Sequence, residues 1–397
     1  MLLSLATCLT CTVTSAVAQN GYSIKEVARA DSNTSLSIVR SNSTGWIITS
    51  KVGASVSKEI NELLGPGGYR RDISSFTDLP VMSYQPSTYP LAVGEDGAVY
   101  YERLEYSTTN EGKRESPFLS ERKLLKLGRD ASTVNEIFSV KRGPATEDGI
   151  LVNAKGQMLY YSSDLESSAP IAITRMNGKR ESLQNFTLPA LPKGKEQSFT
   201  FLLDDTGKFI LSRVAYSTEK STWNDLCSGS LDNETITCLD KVRFRLYEQK
   251  GYYISQLVNG ILLLSGSNVH ESLDAITFTK KSSFRVSSRK TSLSAILDSN
   301  GSVVTFLAGR FLEYHDAKLL VFNPASGKSQ LACDVIQQMK LSPGALVYLS
   351  EGADGAILMT LDDSSRPKKQ SQILLLSPAP LSGALPADAI GTCKPVN

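Results

Sequence analysis

Histidine is almost missing from this chain. His270 and His315 are the only two in 397 residues, and tryptophan is equally scarce. A histidine-rich metal centre is therefore excluded, and any Ser-His-Asp set would have to use one of those two imidazoles. Neither has an acid beside it in more than sequence. His270-Glu271 and His315-Asp316 read as surface or core histidines. No Gly-x-Ser-x-Gly elbow, no P-loop and no dinucleotide Gly-rich fingerprint occurs. An excess of charge of one sign is also lacking. Lys plus Arg is 42 and Asp plus Glu is 40, for a formal net charge of +2. That balance argues against a protein built to bind nucleic acid. No apolar run after residue 18 reaches the ~20 residues of a membrane-spanning helix. What is present, 41% hydrophobic and 21% charged residues, is the composition of a folded globular chain.

Residues 2–18 carry no charge and end in Ala16-Val17-Ala18, an A-x-A-type cleavage pattern. They read as a secretory signal cleaved after Ala18, without the usual positive start, and place the protein in a secreted or periplasmic compartment. The Leu5-Ala6-Thr7-Cys8 stretch is a poor match to a lipidation signal. Removal of the signal takes away Cys8 and Cys11. Cys227, Cys238, Cys333 and Cys393 remain, and they allow three full pairings. The expected pairing is Cys227–Cys238 and Cys333–Cys393. The first closes a short loop and the second ties down the C-terminal tail. No cofactor and no metal site is expected.

The informative feature is a repeat. A short apolar run, a polar turn, a Gly and a second apolar run recur seven times, with the glycines at 45, 97, 156, 207, 260, 301 and 355. Successive gaps are 52, 59, 51, 53, 41 and 54 residues. Each unit reads as a β-hairpin whose Gly supplies the positive φ of a tight turn. Leu319–Pro324 and Ile373–Pro378 mark a third strand in two successive units, again 54 residues apart. A lone unit of three or four strands cannot bury both of its faces, whereas units stacked in a ring can. The chain thus resembles the β-propeller superfamily, with residues 19–397 as one domain of about seven four-stranded blades. Six or eight blades also fit the spacing. The residues before Gly45 could supply a strand that closes the ring. A sandwich would not produce seven equivalent turns. The stretches Ala295–Val304 and Leu91–Tyr100 are weakly similar to regulator-of-chromosome-condensation-type repeats. That family's Trp-Gly ending is absent, so the resemblance implies architecture and no functional residue.

Binding loops gather on propeller faces. Two insertions stand out, 51–86 and 107–124. Within the first, Lys58–Leu64 reads as a short helix stopped by Gly65. The basic run 278–291 reads as a solvated strand or loop face. One motif repeats 110 residues apart, Arg103-x-x-Tyr106 and Arg213-x-x-Tyr216, each followed by Ser-Thr. Two such copies on one rim could grip a carboxylate or sulfate and stack on a ligand. Shared blade structure is the simpler account of the match. The sequence reading is a monomeric exported binding scaffold that presents loops to a protein or glycan partner. Its alternative is a propeller-type glycoside hydrolase or lactonase using carboxylates at the central channel.

Overall fold

The computed structural model describes residues 21–30, 34–53, 59–78, 84–111, 114–143, 146–164, 171–176, 180–186, 196–216, 223–239, 252–266, 269–285, 290–298, 301–309, 318–323, 328–333, 346–363, 370–379 and 391–393. Among them are seven antiparallel sheets. Blade 1 holds Thr34–Ser41, Ile47–Gly53, Ile60–Gly65 and Tyr69–Asp72. Blade 2 holds Ser87–Val93, Val99–Glu111, Arg114–Leu127 and Val134–Lys141. Blade 3 holds Thr146–Val152, Met158–Asp164, Ile171–Met176 and Arg180–Phe186. Blade 4 holds Glu196–Leu203, Lys208–Tyr216, Trp223–Ser230 and Asn233–Cys238. Blade 5 holds Tyr253–Val258, Ile261–Ser265, Val269–Asp274 and Lys280–Arg285. Blade 6 holds Lys290–Leu297, Val303–Gly309, Lys318–Asn323 and Lys328–Cys333. Blade 7 holds Leu346–Glu351, Ile357–Asp363 and Gln370–Ala379.

In every blade the strands pair in chain order. Each first strand touches the first strand of the next blade, from blade 1 round to blade 7 and back to blade 1. That closed ring makes the protein a seven-bladed β-propeller. Blade 7 differs from the rest. Gly21–Arg29, from the start of the chain, pairs with Gln370–Ala379 as its fourth strand, and Gly391–Cys393 adds a fifth outside it. Both ends of the chain therefore close the ring, and no long edge is left open at the seam.

All seven repeat glycines have positive φ, between +72° and +88°. In blades 1, 2, 3, 4 and 6 the Gly amide donates to the carbonyl three residues back, for example Gly97 to Gly94 at 3.0 Å and Gly301 to Asp298 at 2.9 Å. This is a type I turn followed by a left-handed Gly, and it fixes hairpin register. Blade 5 uses a shorter turn in which Asn259 and Gly260 are both left-handed, at φ +48° and +72°. These seven turns define one end of the ring, here the turn face. The other end carries the links between the second and third strands, and is here the arm face.

The core lies between blades. Trp46, Ile48, Leu63 and Ile73 of blade 1 pack on Val93, Val99, Tyr101 and Leu127 of blade 2. The same layering recurs between blades 3 and 4 around Leu159, Phe201 and Phe209, and between blades 4 and 5 around Ile210, Leu262 and Leu273. In blades 1, 3, 4 and 5 the residue after the turn Gly lies as a plug against the turn Gly of the next blade. A Cβ on Gly97 would sit 2.6 Å from the Trp46 ring, so only Gly lets the indole of the preceding blade seat there. Gln157, Lys208 and Ile261 sit in the same way against Gly207, Gly260 and Gly301.

One expected element is corrected. The segment read as a helix over 58–64 contains the third strand of blade 1, Ile60–Gly65, in register with Ile47–Gly53 through pairs such as Leu63↔Ile48. Pairing with a preformed hairpin outweighs the weak helical preference of Glu-Ile-Asn-Glu-Leu-Leu. The described residues of the insertion 107–124 extend the second and third strands of blade 2.

Candidate functional site

The two ends of the ring are chemically different. On the turn face, neighbouring blades are tied together around the channel mouth. Asn42 Nδ2 donates to the carbonyls of Val93 at 3.2 Å and Gly94 at 3.0 Å, joining blade 1 to blade 2. The Glu95 amide donates to Ala154 O at 2.7 Å, and Asn153 Nδ2 donates to Asp204 O at 2.8 Å. The Gly260 amide donates to Asp204 Oδ2 at 2.6 Å, and the Leu297 amide to Gln256 Oε1 at 2.7 Å. Ser41 Oγ donates to Glu351 O at 2.9 Å across the closing seam. Asn42, Asn153, Asp204 and Asp298 also accept amides of their own turns. Asn42, Asn153 and Asp204 thus do turn chemistry and inter-blade chemistry at once. Asp298 accepts the Ser302 amide of its own turn at 2.7 Å.

A cavity of about 190 Å³ sits at this mouth, lined by Arg40, Ser43, Asp204, Asp205, Gln256 and Glu351 among others. Asp205 accepts from the Ala154 amide at 2.8 Å and from Ser43 Oγ at 3.3 Å, the latter reaching across the channel from blade 1 to blade 4. Arg40 is engaged by the carbonyls of Leu91 and Val39. Burial, with Asp205, Asp298 and Asp204 nearby, pushes the Glu351 carboxyl up to about 7. Among the described residues no cluster of His, Cys, Asp and Glu has the makings of a metal centre.

Between blades 2 and 3 lies a buried charge knot. Arg122 bridges Glu102 of its own blade and Asp148 of blade 3, the latter at 3.2 Å, while Arg142 Nε stands 2.5 Å from Asp148. Tyr160 OH donates to Asp148 at 3.2 Å, and Tyr89 OH donates to Glu102. Glu102 and Asp148 are 3% and 6% exposed. Two cations and two anions held this way form a neutral inter-blade clasp.

The arm face carries the exposed apolar side chains. Val52, Ile60, Tyr84, Tyr253, Leu346 and Tyr348 are the exposed large hydrophobics among the described residues, 42% to 64% accessible. Val52 lies at the end of a second strand and Ile60 at the start of a third. Tyr253, Leu346 and Tyr348 lie at the starts of first strands, and Tyr84 lies just before one. All six therefore fall at the same end of the ring. Charges on this end are paired among themselves, Lys51 with Glu62 at 2.8 Å and Arg103 with Glu105 at 2.6 Å. From it projects the long hairpin of blade 2. Its strands run on to the pair Glu111↔Arg114, whereas the flanking first strand stops at Ser87↔Leu104 and the fourth at Lys141↔Glu121.

The expected ligand residues are on this end. Arg103 lies on the second strand of blade 2 and holds Glu105. Tyr106, at the root of the arm, meets Tyr84 edge to face at 5.9 Å. Arg213 and Tyr216 occupy the second strand of blade 4, paired with Phe199 and Glu196. Their side chains lie outside the described ones. The two copies share one rim but stand two blades apart, with blade 3 between them. Cys227 and Cys238 form a disulfide that joins the third and fourth strands of blade 4 at directly paired positions. Cys333 and Cys393 end described strands in blades 6 and 7, and their side chains lie outside the described ones.

His270 is a core residue, 2% exposed, with Nδ1 3.2 Å from Ser265 Oγ. Burial pushes it down to about 4. Lys280 and Lys281 of the basic run lie on the fourth strand of blade 5 and face Glu271 at 3.0 Å and Asp274 at 3.3 Å. Sequence reasoning missed Tyr253, Leu346 and Tyr348. Leu346 and Tyr348 alternate with the buried Val347 and Leu349, and nothing in such a run says which member faces out; Tyr253 simply opens its strand.

No family model matches the chain, and no curated protein matches it. Solved propellers do. The β-propeller domain of the Trilobed protease from Pyrococcus furiosus is 11% identical, with 85% of this chain and 95% of that one covered and a TM-score of 0.47. The C-terminal WD40 domain of Sif2 is 13% identical over 89% and 98%, with a TM-score of 0.38. A chain of the Mitotic Checkpoint Complex is 8% identical over 95% and 98%, with a TM-score of 0.46. The fold assignment rests on the sheet order and the closed ring. No helix among the described residues is long and apolar enough to cross a membrane.

Proposed function

We propose that the protein is an exported binding scaffold whose arm face takes up a protein partner. The observation that carries this reading is the segregation of all six exposed large hydrophobics to one end of the ring, beside the projecting hairpin. Apolar side chains left in water at one end, with neighbouring charges already paired, suit a partner surface that removes them from water. Export rests on the signal read at residues 2–18. Cleavage after Ala18 would leave two residues before the ring-closing strand at Gly21, and a Cys333–Cys393 bridge would tie the last strand to blade 6. A glycan stacked on the tyrosines, with Arg103 and Arg213 as polar grips, is the other occupant this face could take. The enzymatic alternative would need two free carboxyls at the channel. Asp204 and Asp298 serve their turns, and Asp205 is held by Ala154 and Ser43.

The test compares the wild type with a variant in which Tyr84, Tyr253, Leu346 and Tyr348 are each changed to Ser. Each protein is immobilised and exposed to the exported fraction of the source cells, and each is also melted. The expected result is a specific partner captured by the wild type and lost by the variant at an unchanged melting temperature. Capture of nothing specific, or equal capture by both, would overturn the reading.

A further inference from the structure

The arm has two edges, and they are not equivalent. Pairs of an antiparallel ladder alternate between hydrogen-bonded and non-hydrogen-bonded. Pro117 has no N–H to give its neighbour, so Thr108↔Pro117 is a non-hydrogen-bonded pair. Asn110↔Glu115 and Tyr106↔Leu119, two residues away on either side, share its phase. In these pairs the main-chain N–H and C=O of Tyr106, Thr108 and Asn110 point away from the third strand, along the channel-side edge of the arm. The first strand of blade 2 ends its pairing at Leu104, so no described strand covers them. On the opposite edge Pro117 removes one donor from the row.

We infer that the channel-side edge of the arm, from Tyr106 to Asn110, adds an extended segment of a partner polypeptide as a further β-strand. A row of donors and acceptors at strand spacing is matched by another extended main chain and not by a sugar. Beside its root, the Tyr84–Tyr106 pair offers a shelf for one side chain of the incoming strand. Tyr84 is 58% exposed and holds a left-handed φ of +67° to stand there. Charge speaks against a second copy of this chain as the occupant. Two such edges paired antiparallel about Thr108 would set Glu105 against Glu111 twice. The inference deepens the reading of the arm face as the binding face and rests on it.

The probe is a random twelve-residue peptide library displayed on phage, selected against the immobilised full-length protein. Selected peptides are then titrated against wild type, Thr108→Pro, Asn110→Pro and the Tyr253→Ser/Tyr348→Ser double variant. Both proline changes remove a channel-side N–H and leave the ladder inside the arm intact. Their melting temperatures should match the wild type, and either one alone suffices for the test. Peptides that bind the wild type and lose at least tenfold on a folded proline variant support the inference. Peptides that ignore both prolines but lose binding to the Tyr253/Tyr348 variant overturn the edge assignment and leave the face reading standing. No enrichment, or a dimer in sedimentation that Thr108→Pro dissolves, also overturns it.

Discussion

The turn face and the arm face are built from the same seven blades and differ in almost every chemical respect. On the turn face each blade repeats a left-handed Gly, most of these glycines seat a side chain of the blade before, and side-chain amides and carboxylates lace the blades together. The arm face varies from blade to blade. One blade extends into an arm, blades 1 and 7 each show two exposed hydrophobics and blade 5 one, and charges such as Lys51 and Glu62 pair with each other. The difference teaches where stability and recognition are separated. Register and ring closure are set at one end, so the other end is free to vary without loss of fold.

The largest effect should come from breaking the plug at the turn face. Gly97→Val forces a β-branched residue into φ +78° and drives its Cβ into Trp46. Strain and overpacking together should cost about 3 kcal/mol or more. Gly45→Ala at the closing seam is the control. Its nearest neighbour is Ala353 Cβ at 3.5 Å, so it carries only the backbone penalty of about 1–2 kcal/mol. Urea unfolding of the two variants measures the difference. Opening the clasp between blades 2 and 3 should come next. Arg122→Met leaves Glu102 and Asp148 buried with less positive charge, at about 3–5 kcal/mol if neither relaxes and less if water enters the adjoining cavity.

A smaller effect is a gain. At the closing seam the plug position is Ala356, and an apolar cavity of about 290 Å³ remains beside Gly45, Ile47 and Leu375. Ala356→Ile should fill part of it and raise stability by about 0.5–2 kcal/mol, read as a later urea midpoint. The remaining effects appear only when pH is changed. Glu351 holds its proton more tightly in the folded ring than in the unfolded chain. Its contribution is full below about 4.5 and lost as pH rises through about 7. Glu351→Gln should therefore be the more stable protein at pH 8.5 and equal to wild type at pH 4. His270 has the opposite sense. It is pushed down to about 4, so stability falls as pH drops from about 6.5 toward 4, and His270→Leu should flatten that limb.

The ring itself was legible in the sequence, because the Gly turns obey a rule of backbone geometry that a spacing can reveal. The Cys227–Cys238 bridge was legible because the two cysteines close a short loop. The helix expected over 58–64 shows the limit. Its residues are local helix formers, and only the partner strand Ile47–Gly53 decides otherwise. The arm was visible as a polar insertion, but its β-structure depends on a register that composition does not carry. Glu351 was invisible as a titrating group, because its acidic neighbours come from blades 4 and 6.

Amide hydrogen exchange on the free protein tests the division between the two ends most directly. The amides of Glu95, Gly260 and Leu297, which link blades at the turn face, should exchange only when the whole ring opens. Those of Tyr106, Thr108 and Asn110 on the arm should exchange freely. Early exchange of the turn-face links, or slow exchange along the arm edge, would contradict the account.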